Sequence, residues 1–419
     1  MQLFQIRGPG TLSGETTVSG AKNSVLPILA ACVLCRGPCV LHNCPNITDV
    51  DATLAILRAL GAKTARTGST LTVDTGPLTA SAVPAAPATR MRSSVLFAGA
   101  LLARTGRAQV PLPGGCPLGR RPIDLHRSAF EALGACCTDD GAFLDLSWTA
   151  PHGACFEFPT VSVGATENAV LAALACPGET VLQNAAAEPE VTDFLNFLRS
   201  AGAEITGVGT RELCISGGKP LHGTTYSILP DRIETATFLC AACGCGGDIL
   251  LRRTDARSLG PLPGLLERMS CELHPETNAL RIRRTGQLRP VFSVETAPYP
   301  GFPTDCQAAL MAALLRAPGE SRITETVFET RFHHVPELQK LGAVLQISGN
   351  AVRITGAGAL HGAAMTAHDL RGGAALVLAA LQAEGESSVS GLHHIDRGYE
   401  RFEQKLRALG ADILRTFAG

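Results

Sequence analysis

Net charge and aromatic residues are both scarce in this chain of 419 residues. Lys+Arg is 36 and Asp+Glu is 37, which gives a formal net charge of -1, and the aromatics are 15 Phe, 3 Tyr and 1 Trp. Sequence-independent nucleic-acid binding needs a dense cationic face or a base-stacking platform. The composition therefore argues against that class of protein.

Long apolar runs are also missing. The longest covers residues 25–35 and contains Pro27, which is too short to span a bilayer of about 30 Å. No basic start followed by an apolar segment, the pattern of a signal peptide, is visible at the N-terminus. We therefore expect a soluble protein of the cytoplasm.

Cysteine is abundant, with 15 residues, an odd number. In a cytoplasmic chain this makes disulfides improbable. Cys32 with Cys35, and Cys240 with Cys243 and Cys245, lie in apolar helical runs without a histidine at ligand spacing, which favours packing thiols over zinc. Cys116 differs from the other 14, which we expect to be packing thiols, because it lies in a Gly/Pro loop beside two arginines that would stabilise a thiolate. Walker A and complete dinucleotide motifs are absent from the sequence, and we expect no metal and no cofactor.

A repeat of about 70 residues accounts for the whole chain. Its marker is the tripeptide Leu-Gly-Ala, with one Ala-Gly-Ala variant and one missing copy expected to end near residue 270. The marker glycines are Gly61, Gly134, Gly202, Gly342 and Gly410.

Each of the six units repeats one order of predicted elements. A helix of small apolar residues comes first, over 24–35, 166–176, 235–245 and 372–382 in the clearest copies. A β segment and an amphipathic helix follow, the latter over 51–60, 192–201 and 400–409, and the marker glycine ends that helix in a left-handed conformation. Because six units cannot share one core, we expect an α/β protein of two domains, each with three units and with sheets packed around buried helices.

The charged residues recur before the first helix of a unit and after its strand. We expect these loops to gather at one end of each domain and to form a cationic cleft. The residues are Lys22, Asn23, Arg92, Arg120, Arg121, Asp231, Arg232, Asp305, Arg331, Asp369, Arg371 and Arg397.

Several of these residues have a simpler interpretation that stays open. Lys22 suits an anion site at a helix start, but it could be a solvated lysine. Asp305 could be a general base or a helix cap. Asp369 with Arg371, like Asp231 with Arg232, could be a local salt bridge. The pairs His333-His334 and His393-His394 lack carboxylates at metal-ligand spacing, which favours surface or supporting roles.

Motifs along the whole chain resemble the UDP-N-acetylglucosamine 1-carboxyvinyltransferase family of enolpyruvyl transferases. They are Ser19-Gly-Ala-Lys-Asn23, Leu112-Pro-Gly-Gly-Cys-Pro-Leu-Gly119, Arg121-Pro-Ile-Asp-Leu-His126, Ser162-Val-Gly-Ala-Thr-Glu167, Leu229-Pro-Asp-Arg-Ile-Glu-Thr235, Phe302-Pro-Thr-Asp305, Thr324-Glu-Thr-Val-Phe-Glu329 and His394-Ile-Asp-Arg-Gly-Tyr-Glu-Arg401.

The resemblance implies two inside-out α/β barrel-like domains, each of three βαβαββ-type units. The implied domains are 22–229, and 1–21 with 230–419, with the active site in the cleft between them. The implied reaction moves the enolpyruvyl group of phosphoenolpyruvate to the 3′-hydroxyl of UDP-N-acetylglucosamine through a tetrahedral intermediate. Phosphate is released, and the step is the first committed one of peptidoglycan synthesis.

Residue roles follow from the resemblance motif by motif. Cys116 is implied to protonate C3 of phosphoenolpyruvate, to form a covalent adduct and to react with fosfomycin, while Asp305 is implied to be the general base. Lys22, Arg121 and Arg397 are implied to bind the phosphate and carboxylate of phosphoenolpyruvate. Further substrate contacts are implied for Asn23, Arg92, Pro122, Ile123, Asp124, Leu125, Ser162, Val163, Gly164, Val327, Arg331, Asp369 and Arg371.

Two other functions agree less well with the sequence. The shikimate-pathway enolpyruvyl transferase has a related fold but lacks the Pro-Gly-Gly-Cys loop. A silent nucleotide-sugar-binding paralogue has no support, since Cys116, Lys22, Asp305 and Arg397 are all present.

Overall fold

The protein folds into two units, each with its own hydrophobic core. The structure, a computed structural model, describes residues 2–112, 123–328, 331–356 and 358–417. We call residues 20–112 with 123–229 the middle unit, and residues 2–19 with 230–417 the terminal unit.

Each unit contains three sheets that share one strand order. The first strand runs parallel to the second, and the remaining two pairings are antiparallel. In spatial order, the first sheet of the middle unit consists of Thr225–Ser227, Cys39–His42, Thr70–Asp74 and Lys63–Thr67, and the second of Arg107–Pro111, Phe143–Trp148 and Ala135–Asp139. The third consists of Cys155–Glu157, Glu179–Gln183, Glu212–Ser216 and Glu204–Thr206. In the second of these, a single parallel bridge from Ala82 to Gln109 stands in the place of the first strand. A two-stranded pair, Cys35–Arg36 with Leu221–His222, completes the set.

The terminal unit repeats this arrangement, and the N-terminal strand completes the sheet of the last repeat. Gln2–Gly8 pairs with Gly385–Ser390 on one side and with Asp412–Phe417 on the other. The sheets are Leu12–Thr17, Gly247–Arg252, Ala279–Arg284 and Glu272–Glu276; Val294–Glu295, Gly319–Thr324, Ala351–Gly356 and Val344–Ser348; and Ala364–Thr366, Gly385–Ser390, Gln2–Gly8 and Asp412–Phe417. The three sheets of shared strand order in each unit confirm the sixfold repeat and the α/β class.

Six central helices, three in each unit, form the cores. Their Ala, Leu, Val and Cys side chains are buried on nearly all faces because the helices pack against one another inside the sheets. This is the inside-out arrangement that the sequence predicts. The central helices are Lys22–Ala31, Phe97–Thr105, Val163–Ala173, Arg232–Cys245, Gln307–Leu314 and Leu370–Ala380.

The outer helices are shorter or more amphipathic. They are Thr48–Ala59, Asp124–Ala132, Pro189–Ser200, Leu262–Arg268, Val335–Gln339 and Phe402–Ala408, and the short helices Ala85–Ala88 and Leu392–Ile395 accompany them. Single 3-10 turns cover Cys32–Leu34, Arg92–Leu96, Ala256–Leu259 and Thr304–Cys306.

Residue 270 explains the missing copy of the repeat marker. All five marker glycines have positive φ, between 87° and 105°, as predicted for the residue that ends each outer helix. At the equivalent position of the fourth repeat, Ser270 has a φ of 74°. Its amide donates to the carbonyl of Glu267 at 3.0 Å, and that of Cys271 donates to Leu266 at 3.0 Å. The turn geometry is therefore retained without glycine.

The central helices begin two or three residues earlier than the sequence predicts. The polar residues assigned to the preceding loops form the first helical turn instead, and a capping side chain precedes that turn in three of the four helices. Ser162, Asp231 and Asp369 accept hydrogen bonds from backbone amides of that turn. Arg371 is therefore a helical residue rather than a loop residue, and so is Lys22, whose helix follows Ala21 without a side-chain cap.

Within the described residues, no helix combines the length and hydrophobicity that a membrane crossing needs.

The 14 described cysteines are free thiols. The prediction that all of them are packing thiols is wrong for Cys136 and Cys155, which are exposed. Both lie on strands, where alternate side chains face solvent.

Candidate active site

Asp305 of the terminal unit binds two arginines from distant parts of the chain. It lies in the 3-10 turn Thr304–Cys306, directly before the central helix Gln307–Leu314. Arg331 Nη2 donates to Oδ1 at 2.7 Å, and Arg371 donates to Oδ2 from Nη2 at 3.0 Å and from Nε at 3.2 Å. The arginine side chains are 6% and 4% exposed and the aspartate side chain 24%. The carboxylate is thus fixed by two buried cations while it stays accessible.

Asp369 and Arg371 have separate roles in the structure. Asp369 caps the helix Leu370–Ala380, where Oδ1 accepts from the amides of Arg371 at 2.9 Å and Gly372 at 2.8 Å. The Arg371 guanidinium turns away to Asp305, and its Cζ lies 5.4 Å from the centre of the Tyr399 ring. The interpretation of Asp369 with Arg371 as a local salt bridge is therefore wrong. A carboxylate at a helix start is drawn to the free amides there.

His334 is a buried histidine beside this cluster. Burial is the main cause that lowers its pKa to about 4; Asp369 opposes the shift, and Arg331 and His333 add to it. The ring is therefore neutral near pH 7, and Nε2 contacts no hydrogen-bonding partner among the described residues. The described residues include no group of three or more His, Cys, Asp or Glu side chains that could hold a metal ion.

Arg397 lies in a turn that the last strand of the terminal unit holds in place. Arg415, on the strand Asp412–Phe417, binds both oxygens of the neighbouring Asp396 at 2.9 and 2.7 Å, and it also contacts Glu403 at 3.2 Å. Just before the turn, the rings of His393 and His394 lie 4.1 Å apart, centre to centre.

In the middle unit, Lys22 is the first residue of a central helix. Its Nζ lies 3.1 Å from Oδ2 of Asp49, which belongs to the first turn of the outer helix Thr48–Ala59. The two side chains are 14% and 4% exposed. The interpretation of Lys22 as a solvated lysine is therefore wrong. Asn23 follows in the same helical turn, and Arg92 begins the 3-10 turn before the next central helix.

The two segments that the resemblance assigns to the UDP-sugar lie at the starts of two helices in mutual contact. Residues 123–125 open the outer helix Asp124–Ala132, and residues 162–164 open the central helix Val163–Ala173. Ser162 Oγ accepts from the amide of Ala165 at 3.4 Å. An added Cβ at Gly164 would lie 3.4 Å from Cε1 of the His126 ring, so this helix start lies directly beside that ring.

Glu167 is a buried acid in that central helix. Burial, together with Glu188 and Glu190, raises its pKa well above the ordinary value. Its Oε1 has no hydrogen-bonding partner among the described residues. We therefore assign it a structural rather than a charged role near neutral pH.

Sequence reasoning missed Thr304, Glu325 and Tyr399, although all three lie within or beside the quoted motifs. The sequence signal for Glu325 is its position, a carboxylate directly after a predicted strand. Val327 is 38% exposed, and its amide donates to this carboxylate at 2.8 Å. Cys116, Arg120, Arg121 and Pro122 lie outside the described residues.

Comparisons with known proteins define the family. The family model described as EPSP synthase (3-phosphoshikimate 1-carboxyvinyltransferase) matches residues 6–406. In three dimensions, the chain superimposes on the enolpyruvyl transferase NikO from Streptomyces tendae with a TM-score of 0.89 and 29% identity, over 100% of this chain and 99% of that one. EPSP synthase from Acinetobacter baumannii, at 19% identity, shares the fold with a TM-score of 0.76 over the full length of both chains. These matches define an enolpyruvyl transferase.

Curated relatives define the branch of this family. UDP-N-acetylglucosamine 1-carboxyvinyltransferase 2 of Carboxydothermus hydrogenoformans is 45% identical over 99% of this chain and 100% of its own. UDP-N-acetylglucosamine 1-carboxyvinyltransferase of a Psychrobacter species is 43% identical over 99% of this chain and 97% of its own. The chain belongs to the EPSP synthase family of enolpyruvyl transferases, and within it to the UDP-N-acetylglucosamine 1-carboxyvinyltransferases. The family resemblance seen in the sequence is thereby confirmed.

Proposed function

We propose that the protein transfers the enolpyruvyl group of phosphoenolpyruvate to the 3′-hydroxyl of UDP-N-acetylglucosamine and releases phosphate. The observation that carries this conclusion is the similarity, over nearly the whole chain, to relatives that bear the name of this activity. The product, UDP-N-acetylglucosamine-enolpyruvate, enters peptidoglycan synthesis and so serves cell-wall biogenesis and cell division. We place the reaction in the cytoplasm.

Phosphoenolpyruvate carries up to three negative charges, so its binding needs several fixed cations. We assign its phosphate and carboxylate to Lys22, Arg121 and Arg397, and the surrounding positive charge to Arg92, Arg331 and Arg371. The low exposure of Lys22, Arg331 and Arg371 supports this assignment, because cations shielded from water interact more strongly with an anion.

Asp305 is the proposed general base. After C3 of phosphoenolpyruvate gains a proton, C2 becomes electrophilic and the sugar hydroxyl attacks it. A carboxylate beside that hydroxyl can accept its proton and offset the developing positive charge. Loss of phosphate from the tetrahedral intermediate, with loss of a proton from C3, then restores the enol ether. The hydrogen bonds from Arg331 and Arg371 to the two carboxylate oxygens of Asp305 support a fixed orientation of the base.

The UDP-sugar is assigned to four parts of the chain. Asn23 is proposed to contact the sugar region, while residues 121–125 and 162–164 and Val327 form the pocket. The contact between the helices that begin at Asp124 and Val163 supports a common pocket for the two segments. Asp369 is proposed as a supporting carboxylate.

Cys116 is proposed to deliver the proton to C3, to form a covalent adduct with the substrate and to react with fosfomycin. These roles rest on the family resemblance. A thiol beside arginines is readily converted to the thiolate, so proton delivery calls for a change of environment during the reaction.

The decisive experiment measures phosphate release from phosphoenolpyruvate with and without UDP-N-acetylglucosamine. We expect release that depends on the nucleotide sugar, and no release when shikimate 3-phosphate replaces it. Folded protein that releases no phosphate with the nucleotide sugar would contradict the proposal, and release with shikimate 3-phosphate would favour the other branch of the family.

Two variants test the thiol in the same assay. Cys116→Ser should lose most turnover, because a hydroxyl is a much weaker acid than a thiol. Cys116→Asp should retain turnover and escape alkylation by fosfomycin, since its carboxyl can still exchange a proton. Equal fosfomycin inactivation of the wild type and Cys116→Asp would refute this assignment.

A further inference from the structure

Glu325 is a buried carboxylate that fixes the turn after the strand Gly319–Thr324. It is 1% exposed. Its Oε1 accepts hydrogen bonds from Thr296 Oγ1 at 2.7 Å and from the backbone amides of Val327 at 2.8 Å and Phe328 at 3.1 Å. The two amide bonds fold the backbone of residues 325–328 around this oxygen, and the bond from Thr296 ties the turn to the neighbouring strand end.

The second oxygen of Glu325 begins a chain of hydrogen bonds that ends at Asp305. Thr304 Oγ1 donates to Oε2 at 2.8 Å. The same hydroxyl oxygen accepts from Arg331 Nη1 at 2.8 Å, and Arg331 Nη2 donates to Asp305 Oδ1 at 2.7 Å. A hydroxyl has one proton to give. Because the Thr304 hydroxyl donates this proton to Glu325, its oxygen lone pairs are available to accept from the Arg331 guanidinium.

We propose that Glu325 is a positioning residue for enolpyruvyl transfer, and that it acts in two directions at once. Through Oε1 it places Val327, and through Thr304 and Arg331 it orients Asp305. The inference rests on the proposed function, which assigns Val327 to the nucleotide sugar and Asp305 to its hydroxyl. One buried side chain thereby sets both the sugar contact and the direction of the base.

A carboxylate suits this position better than an amide of the same shape. Four donors converge on Glu325, three on one oxygen and one on the other. An amide of the same shape accepts at one end only and donates at the other. Glu325→Gln would therefore present an N–H group either to the amides of residues 327 and 328 or to the Thr304 hydroxyl. The chain of hydrogen bonds would break or reverse.

The test separates the two directions with isosteric variants. Thr304→Val removes the hydroxyl that joins Glu325 to Arg331 and leaves the turn at Val327 intact, whereas Thr304→Ser keeps the hydroxyl. Glu325→Gln disturbs both directions. Glu320→Gln is the matched control, because Glu320 is an exposed residue of the neighbouring strand, with a surface ion pair to Arg353. The readouts are kcat, KM for each substrate and the thermal unfolding midpoint.

We expect Thr304→Val to lower kcat by about 10- to 100-fold, the effect of losing one aligned hydrogen bond to a charged group. Its KM for UDP-N-acetylglucosamine should stay within about twofold, and Thr304→Ser should restore most of kcat. Glu325→Gln should lower kcat similarly and also raise that KM, by about 10-fold. Glu320→Gln should match the wild type.

Three results would overturn the inference. Thr304→Val with the kcat of the wild type would show that the link to Arg331 is not used. Equal losses in Thr304→Ser and Thr304→Val would show that the hydroxyl does not matter. A lower unfolding midpoint in both Thr304→Val and Glu325→Gln with unchanged kinetics would reduce the network to a structural role. These outcomes all require an active wild type; a wild type without nucleotide-sugar-dependent release would overturn the proposed function instead, and the inference with it.

Discussion

The ammonium of Lys22 lies 3.1 Å from the carboxylate of Asp49, and both side chains are largely shielded from water. Removal of one partner from a shielded ion pair destabilises the folded protein, because the remaining charge stays in a poorly solvated place. In the proposed function, Lys22 also binds the anionic substrate. Asp49 therefore stands where it can hold the lysine before the substrate arrives.

Asp49→Asn should accordingly lower the free energy of unfolding of the substrate-free protein by about 2–3 kcal/mol. This is somewhat less than the cost of removing one partner from a fully buried ion pair. Phosphoenolpyruvate should recover part of this loss, since its anion supplies a new partner for Lys22. Chemical unfolding with and without phosphoenolpyruvate measures both effects. Asp51→Asn, at an exposed position of the same helix, is the control and should differ little from the wild type. Equal stability of the two variants would contradict the importance of the pair.

Arg397→Ala should weaken phosphoenolpyruvate binding far more than nucleotide-sugar binding. The loss should be about 10- to 100-fold in affinity, the usual range for a charge-assisted hydrogen bond. Calorimetric titration with each substrate measures the two effects separately. Arg407→Ala, at an exposed helical position, serves as the control. Equal weakening of both substrates would argue against the placement of Arg397 at phosphoenolpyruvate.

Glu167 should make the stability of the protein decline as the pH rises. Burial and the neighbouring Glu188 and Glu190 raise its pKa in the folded state, whereas the unfolded chain has the ordinary value of about 4.3. Between those two values the folded state binds more protons than the unfolded state. The stabilisation is therefore complete below the unfolded pKa and is lost as the pH rises through the folded one.

Glu167→Gln removes this titration. The free energy of unfolding, measured in urea from pH 4 to 8, should fall less steeply for the variant than for the wild type. Glu179→Gln, at an exposed strand position, should keep the slope of the wild type. Parallel curves for Glu167→Gln and the wild type would show that the buried carboxyl does not carry the pH dependence.

Ser270→Gly should stabilise the protein. Ser270 has a φ of 74°, and a left-handed conformation costs an L-residue about 1–2 kcal/mol. Glycine removes that cost but loses about 0.5–1 kcal/mol through the greater freedom of its unfolded chain. The expected net gain is about 0.5–1 kcal/mol. Gly202→Ser, the reverse change at the equivalent position, should destabilise; a Ser270→Gly variant no more stable than the wild type would contradict this account.

The sequence by itself determined the repeat and the class of fold. A marker glycine must adopt positive φ after its helix, and a helix apolar on all sides must be buried; both are local properties that side-chain chemistry fixes. The count of six units, the central helices and the family all follow from such local patterns. Three of the four predicted helix starts lie too late because a capping residue, rather than the last polar residue, decides where those helices begin.

Only the tertiary structure decided which charged groups meet. The Arg371 guanidinium binds Asp305, 66 residues away in the chain, and not Asp369, which is only two residues away. The link between Thr304 and Glu325 is evident only from the hydrogen bond that joins them in the folded protein. Neighbours in sequence compete with backbone amides and with distant side chains for the same hydrogen bonds. Packing of the central helices sets which partners lie within reach, and sequence spacing carries little information about it.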